Sequence, residues 1–390
     1  MRQPKLRRAI GLMSGTSLDG IDVALVDTDG DAQVDRGPAR VYAYDAAFRD
    51  RLAAALESAK GIRQRAERPG DIAALEVELT RRHADAVDRF LHDCAIDRAS
   101  IDVVGFHGQT ILHRPAEALT IQIGRGDLLA DRLGLPVVHD MRAADMLAGG
   151  QGAPLVPAYH AALARSLPAD RRTYPVVFVN IGGISNVTWL DGTSDPVAFD
   201  SGPGNALLDQ WLQREAGIPY DQNGAVASEG GILETMAERY LASPFFARPA
   251  PKSLDRFDFP VPPGGSGALE DVARTLCYIS AAAILKSADH FPAAPKLWII
   301  CGGGRHHPAI MADLKAGAAS DAAVVSAEDA GFDGDAMEAE AWGYLAVRSL
   351  DGRPLTWPTT TGCRQATCGG VLAMPGTPRS TKAGGARRQS

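Results

Sequence analysis

Cysteine is scarce and scattered in this sequence. The five residues Cys94, Cys277, Cys301, Cys363 and Cys368 are odd in number and widely spread, so they form neither a disulfide framework nor a zinc-ligand spacing. Cys363 and Cys368 lie near each other, but no second ligand pair completes a metal site, and they read as ordinary thiols. Long apolar runs are also missing, and none approaches the roughly eighteen residues of a membrane span. The basic start "MRQPKLRRAIGLM" holds an apolar run of about five residues, short of the seven or so that a secretion signal needs. A reducing cytoplasm is the expected setting. There is no excess of positive charge either. The net charge is −7 and the pI about 5.7, which argues against a nucleic-acid partner and for a soluble chain that resists self-association.

Familiar catalytic signatures are absent too. No G-x-x-x-x-G-K-[ST] phosphate loop, G-x-S-x-G elbow or H-E-x-x-H zinc helix occurs, and no intact G-x-G-x-x-G follows a strand. What is present is a 390-residue chain, 45% hydrophobic, enough for two cores.

Strand-like runs at 10–13, 22–26 and 41–44 precede helical spacing at 51–59 and 77–94. Next come "DVVGFHG" (102–108), "LTIQIG" (119–124), a helical "DLLADRLG" and "PVVHD" (136–140). Mixed elements in this order predict an α/β domain. "GGQGAP" (149–154) breaks the chain and a helical "AYHAALARSL" follows. Then "PVVFVNIGGISNVTWLDG" (175–192) repeats the design of "GLMSGTSLDGIDVALVD" (11–27): strand, loop of small polar residues, strand, Asp. Helices are expected at 205–216, 229–242 and 269–289, and "KLWIICGGG" (296–304) is a buried strand running into three glycines. The repeat, roughly 165 residues apart, implies duplicated domains, divided as 1–150 and 151–375, with a polar, Gly-rich tail at 376–390.

Gly-rich turns at strand ends let backbone N–H groups approach phosphate oxygens. Hydroxyls of Ser14, Thr16 and Ser17 could add donors. An acid beside such a turn repels phosphate unless a cation intervenes, so Asp19 or Asp22 suggests Mg²⁺, bound directly or through water. An ordinary hairpin with turn-forming residues is the other reading. In "VAFDSGPGNALLDQWL" (197–212), Asp200 ends a strand and Asn205 can cap the following helix, whose N-terminus favours anions. Asp200 reads either as a general base or as a turn carboxylate bonded to local backbone. In "GFHGQT" (105–110), His107 and Gln109 either bind ligand hydroxyls and amides or serve structure. His113 and the pair His306–His307 read as surface features. Asp335 can cap the helix opened by "FDGDAMEAEAWGYLAVR" (332–348), and Glu338 in its first turn suits the helix dipole.

These pieces together make the chain resemble the anhydro-N-acetylmuramic acid kinases. The matching stretches are "GLMSGTSLDGID", "GFHGQT", "TIQIG", "RAADMLAGGQGAPLVPAYH", "NIGGISN", "FDSGPGN", "CGGG" and "DGDAMEA", spanning roughly residues 10 to 375. The resemblance implies two ribonuclease-H-like domains of the actin, sugar kinase and Hsp70 type flanking an ATP cleft. Gly15, Thr16, Ser17, Leu18, Asp19, Gly20, Ile21 and Asp22 would form the first phosphate hairpin. Gly182, Gly183 and Asn186 would belong to the second, and Gly302, Gly303 and Gly304 would lie near the adenosine. His107, Gln109, Gly202, Asn205 and Glu338 would serve the sugar, 1,6-anhydro-N-acetylmuramic acid. The family opens the anhydro ring with water and phosphorylates O6 with ATP, in cell-wall recycling. Asp200 matches its general base, with Ser201 where the family has threonine. Near Lys252 and Ser253, which match, Leu254-Asp255 replaces Thr-Gly, and "RHHP" after "CGGG" also departs. Two rival readings are an Hsp70- or actin-like conformational ATPase and a noncatalytic sugar-sensing module. A homodimer is left open.

Overall fold

Side-chain alternation divides each central strand between two cores. In Val176–Ile181, Val176 and Phe178 enter one core while Val177, Val179 and Ile181 enter another. A strand apolar on both faces needs cover on both. The computed structural model describes residues 5–15, 17–254 and 258–376. Thr16, Asp255 and the expected tail beyond Gly376 lie outside them.

The first half supplies β1 (Arg7–Ser14), β2 (Gly20–Thr28), β3 (Val34–Ala43), β4 (Val103–Arg114), β5 (Leu119–Ile123) and β6 (Val137–His139). The second supplies β7 (Val176–Ile181), β8 (Ile184–Leu190), β9 (Val197–Pro203), β10 (Leu297–Cys301) and β11 (Ala323–Ser326), and β12 (Val371–Ala373) comes last. One sheet runs β12-β6-β4-β1-β2-β3 with β5 beside β4, and the other runs β11-β10-β7-β8-β9. In both, an antiparallel meander (β1-β2-β3, β7-β8-β9) is extended by two parallel strands (β4 and β6, β10 and β11). This is a duplicated ribonuclease-H-like α/β fold. The repeated sequence device is the first hairpin of each copy.

Five layers result. Helices Ala46–Ala59, Ile72–Asp93 and Gly126–Leu133 cover the outer face of the first sheet through Phe48, Leu79, Phe90 and Leu129. Helices Pro157–Ser166 and Met337–Leu350 lie between the sheets, with Tyr159, Leu163, Trp342 and Leu345 in one core with Ala9, Val103, Phe178 and Ile299. Helices Ala206–Ala216, Glu234–Leu241, Leu269–Lys286 and Pro308–Gly317 cover the outer face of the second sheet.

The helix Met337–Leu350 packs directly on β1, β2 and β4. A Cβ at Gly11 would lie 1.8 Å from Ala339 O, and one at Gly105 would lie 2.0 Å from Trp342 O. Glycine permits this backbone approach. β12 also pairs with β6. The last helix and strand thus return to the first sheet.

Candidate active site

Alternation builds a polar rung on the inner face of the second sheet. Cys301 pairs in register with Asn180, Asn180 with Asn186, and Asn186 with Asp200. All four lie on the face that carries Phe178 and Ile299 further down, because side chains repeat every second residue. Asp200 thus sits inside β9 rather than at its end. The extra residue, Ser201, forms a bulge opposite the Ser185–Asn186 step, and its hydroxyl meets Ser185 Oγ at 2.7 Å.

The Asp200 carboxylate accepts a hydrogen bond from Leu254 N–H at 2.8 Å. This donor is distant in sequence, so the local-turn reading does not describe the site. Burial raises the carboxyl to about 6, and the Leu254 bond opposes that rise. A carboxylate so placed titrates near neutrality and suits proton abstraction.

Across the cleft stands the first hairpin. Its turn has Leu18 in the left-handed region, at φ 57°. Leu18 and Ile21 turn their side chains into the first core, leaving the backbone and polar groups to face outward. Ser17 Oγ donates to Asp19 Oδ1 at 2.7 Å. Gly20 opens β2, and a Cβ on Gly15 would meet nothing closer than Ser17 Oγ at 3.5 Å. Gln109 is fully buried within β4. Its Oε1 accepts from Ser14 Oγ at 2.6 Å and its Nε2 donates to Gly15 O at 3.0 Å. Gln109 therefore holds the hairpin.

A cleft of about 350 Å³ lies between the halves, lined by Asp22, Arg142, Asn180, Asn186, Gly302 and Glu338 among others. Asp22 is pushed up to about 7 by burial, then by Asp19, Glu338 and Asp335. Glu338 opens to the cleft, yet the surrounding protein raises its carboxyl, against the pull of Arg142 and of an Asn180 hydrogen bond at 3.4 Å. Asp333, rather than Asp335, accepts the N–H groups of Asp335 and Ala336 ahead of that helix.

His107 is buried, and burial followed by Arg142 holds its ring well below the usual range. Arg142 donates to His107 Nε2 from Nε at 3.3 Å and contacts it from Nη2 at 3.2 Å. That arrangement assigns the ring proton to Nδ1, which has no partner among the described residues. Arg142 opens the matching stretch "RAADMLAGGQGAPLVPAYH" but was given no role there. Its signal was an arginine just after the C-terminal end of β6, at the cleft end of a parallel strand.

The second hairpin is clasped by the start of helix Ala206–Ala216. Asn205 N–H donates to Gly182 O at 2.8 Å, and Gly204 and Ala206 N–H donate to Gly183 O at 3.0 and 3.1 Å. Asn205 makes no side-chain cap. Its amide instead lies between Ile181 O, at 3.5 Å, and the Gly303–Gly304 turn. That position is on the glycine-loop side. Gly202 packs against Ala283 of helix Leu269–Lys286. Gly302, at φ 71°, brings its turn against Asn180 and Ile181, where a Cβ would lie 2.2 Å from Asn180 Oδ1. Of the paired histidines, His306 is exposed, but His307 is buried 3.3 Å from Asp221 Oδ2. His113 is exposed, as expected.

The fold and this cleft define a two-lobed α/β protein with a glycine hairpin in each lobe and a half-buried carboxylate in the second sheet. A family model described as anhydro-N-acetylmuramic acid kinase matches residues 7–375. The anhydro-N-acetylmuramic acid kinase of Agrobacterium fabrum is 54% identical over 369 residues, covering 94% of this chain and 99% of that one. The Rhizobium etli enzyme of the same name is 56% identical over 370 residues, covering 95% and 99%. The chain belongs to the anhydro-N-acetylmuramic acid kinase family. Among solved structures, a ROK family glucokinase from Streptomyces griseus, in complex with glucose and AMPPNP, aligns with TM-score 0.39 at 14% identity, covering 87% of this chain and 98% of that one. Among the described residues, no helix is long and apolar enough to cross a membrane.

Proposed function

We propose that this chain uses ATP to open 1,6-anhydro-N-acetylmuramic acid and phosphorylate its O6, giving N-acetylmuramic acid 6-phosphate and ADP. The reaction would serve cell-wall recycling in the cytoplasm. Asp200 takes a proton from water as the water oxygen bonds to the anomeric carbon. The bond from that carbon to O6 breaks, and O6 then takes the γ-phosphoryl group while ADP leaves. Positioning supplies most of the rate in such transfers. The observation that carries this reading is Asp200, its carboxyl raised to about 6, at the end of a polar rung whose Asn180 and Asn186 line the cleft of a family member. A conformational ATPase has no need of that base.

In this reading Gly15, Ser17, Asp19, Gly20, Gly182 and Gly183 surround the phosphates. Gly302, Gly303, Gly304 and Asn205 lie toward the nucleoside. His107, Arg142 and Glu338 face the sugar. Thr16 lies outside the described residues. ATP consumption is measured with and without the anhydro sugar, and the product by mass. Product heavier than the sugar by water plus one phosphoryl group is expected. Equal ATP consumption with and without sugar would sink the proposal.

The acids Asp19, Asp22, Asp335 and Glu338 offer only oxygen donors, which suits Mg²⁺. Among the described residues, no three metal-binding side chains converge as direct ligands. That fits an ion that keeps several waters and binds phosphate oxygens. Asp22, with Asp19 beside it, would hold the ion, which neutralises phosphate charge when bound. Because Asp22 is raised to about 7 by burial and neighbouring acids, a cation should drive its proton off. At pH 7, Mg²⁺ with ATP should release about half a proton from this group. Calorimetry in buffers of different ionisation enthalpy measures it, and Asp22→Asn should abolish that release. Identical proton release in the two proteins would remove Asp22 from the cation site.

A further inference from the structure

The segment carrying Leu254 is anchored by a buried amine. Lys252 is 7% exposed, and its Nζ lies 3.2 Å from Phe245 O, 3.0 Å from Phe246 O and 2.9 Å from His290 Nε2. Both carbonyls accept from the ammonium, and His290 Nε2 cannot both accept from it and donate to a carbonyl. The ring nitrogen of His290 also lies 2.7 Å from Phe246 O. The amine stands 4.8 Å from the Phe245 ring centroid and 5.6 Å from that of Phe199, the residue before Asp200. The backbone closes the connection. Asp200 N–H donates to Lys252 O at 2.9 Å, and two residues later Leu254 N–H donates to the Asp200 carboxylate. Ser253, between them, donates from Oγ to Gln151 Oε1, in the Gly-rich segment after the first half.

We infer that Lys252 is a positioning residue for the base: its ammonium holds residues 252–254 so that the Leu254 N–H stays on the Asp200 carboxylate. This rests on the kinase reading above. The Leu254 bond favours the ionised carboxylate, so loosening it should raise the Asp200 titration further. The amine is itself depressed to about 8, first by burial and then by Arg248, with Asp289 opposing. The charged and titratable groups around it are thus Arg248, Asp289 and His290, with Asp258 paired to Arg248 and Lys286 over the Phe246 ring. Sign follows from chemistry: the clamp is intact below about pH 8 and loosens as Lys252 loses its proton.

The test is the pH profile of kcat for wild type, Lys252→Met and Lys252→Arg. Lys252→Met should lower kcat by about 10–100-fold, the scale of a misplaced reacting group, with KM for ATP little changed. Its acid limb should move up by about one pH unit or more, the shift expected when a hydrogen bond to a charged group is lost. Lys252→Arg should recover much of kcat and push the alkaline limb well above that of wild type. An acid limb unmoved in folded Lys252→Met would overturn the inference. If Lys252→Met does not fold, the other two proteins decide: a shifted alkaline limb in Lys252→Arg supports the clamp, and coincident limbs overturn it. Failure of the kinase reading looks different, because wild type would then show no sugar-dependent ATP consumption at all.

Discussion

Asp200→Asn should fold, bind both substrates, and turn over at least about 10²–10⁴-fold more slowly, the usual contribution of a general base. The amide oxygen can still accept from Leu254 N–H, so the local geometry survives. Wild-type turnover should fall as the pH drops through about 6, because the base must be ionised and burial raises its carboxyl to that value. The same shift fixes the effect on stability. A carboxyl raised on folding costs nothing below its unfolded value near 4. The cost grows as the unfolded chain ionises first, and it is complete above about 6. At pH 7 the Asn variant should therefore melt no lower than wild type. Near-normal turnover would sink the base assignment, and a large drop in melting temperature would mark Asp200 as structural.

Gly105→Val should cost more stability than any change in the cleft. Even a Cβ at this position would lie 2.0 Å from Trp342 O, a backbone atom that cannot rotate away. Overpacking of a close-packed interior typically costs about 1–3 kcal/mol, and a contact this short against rigid backbone should reach or exceed the upper end. The expected result is a large fall in thermal midpoint together with lost activity, since Glu338 and Trp342 ride on the displaced helix. Gly217→Ala is the control. Gly217 also has positive φ, at 68°, but nothing lies within 4 Å of its added Cβ, so left-handed backbone strain of about 1–2 kcal/mol is expected without any clash. Equal midpoints for the two variants would show that the helix does not press on β4 as described.

The sequence made the strand-loop-strand repeat legible because it is local: apolar runs, small residues and an acid within a short window. Both hairpins, the buried strand before "CGGG" and most helices formed where periodicity placed them. Features that depend on pairing between distant segments were hidden. The row from Cys301 to Asp200 exists only once three strand registers are set. The return of the last helix to the first sheet left glycines as its trace, Gly11, Gly30, Gly105 and Gly343, and glycine has many other uses. His307 looked like half of an exposed pair, yet Asp221 and Cys277 enclose it. Gln109 was open to a ligand or a structural role from its motif, and its bonds to Ser14 and Gly15 appear only once β4 lies beside β1.

The returning helix has a consequence for how the molecule is made. Synthesis delivers β1 through β6 well before residues 337–350, yet those late residues cover one face of the first sheet. A nascent first half therefore emerges with Ala9, Val26, Val103 and Val138 bare, all of them buried in the finished protein. Domains usually fold in the order in which they leave the ribosome. Here the inner face of the first sheet is completed only when the last helix packs on it.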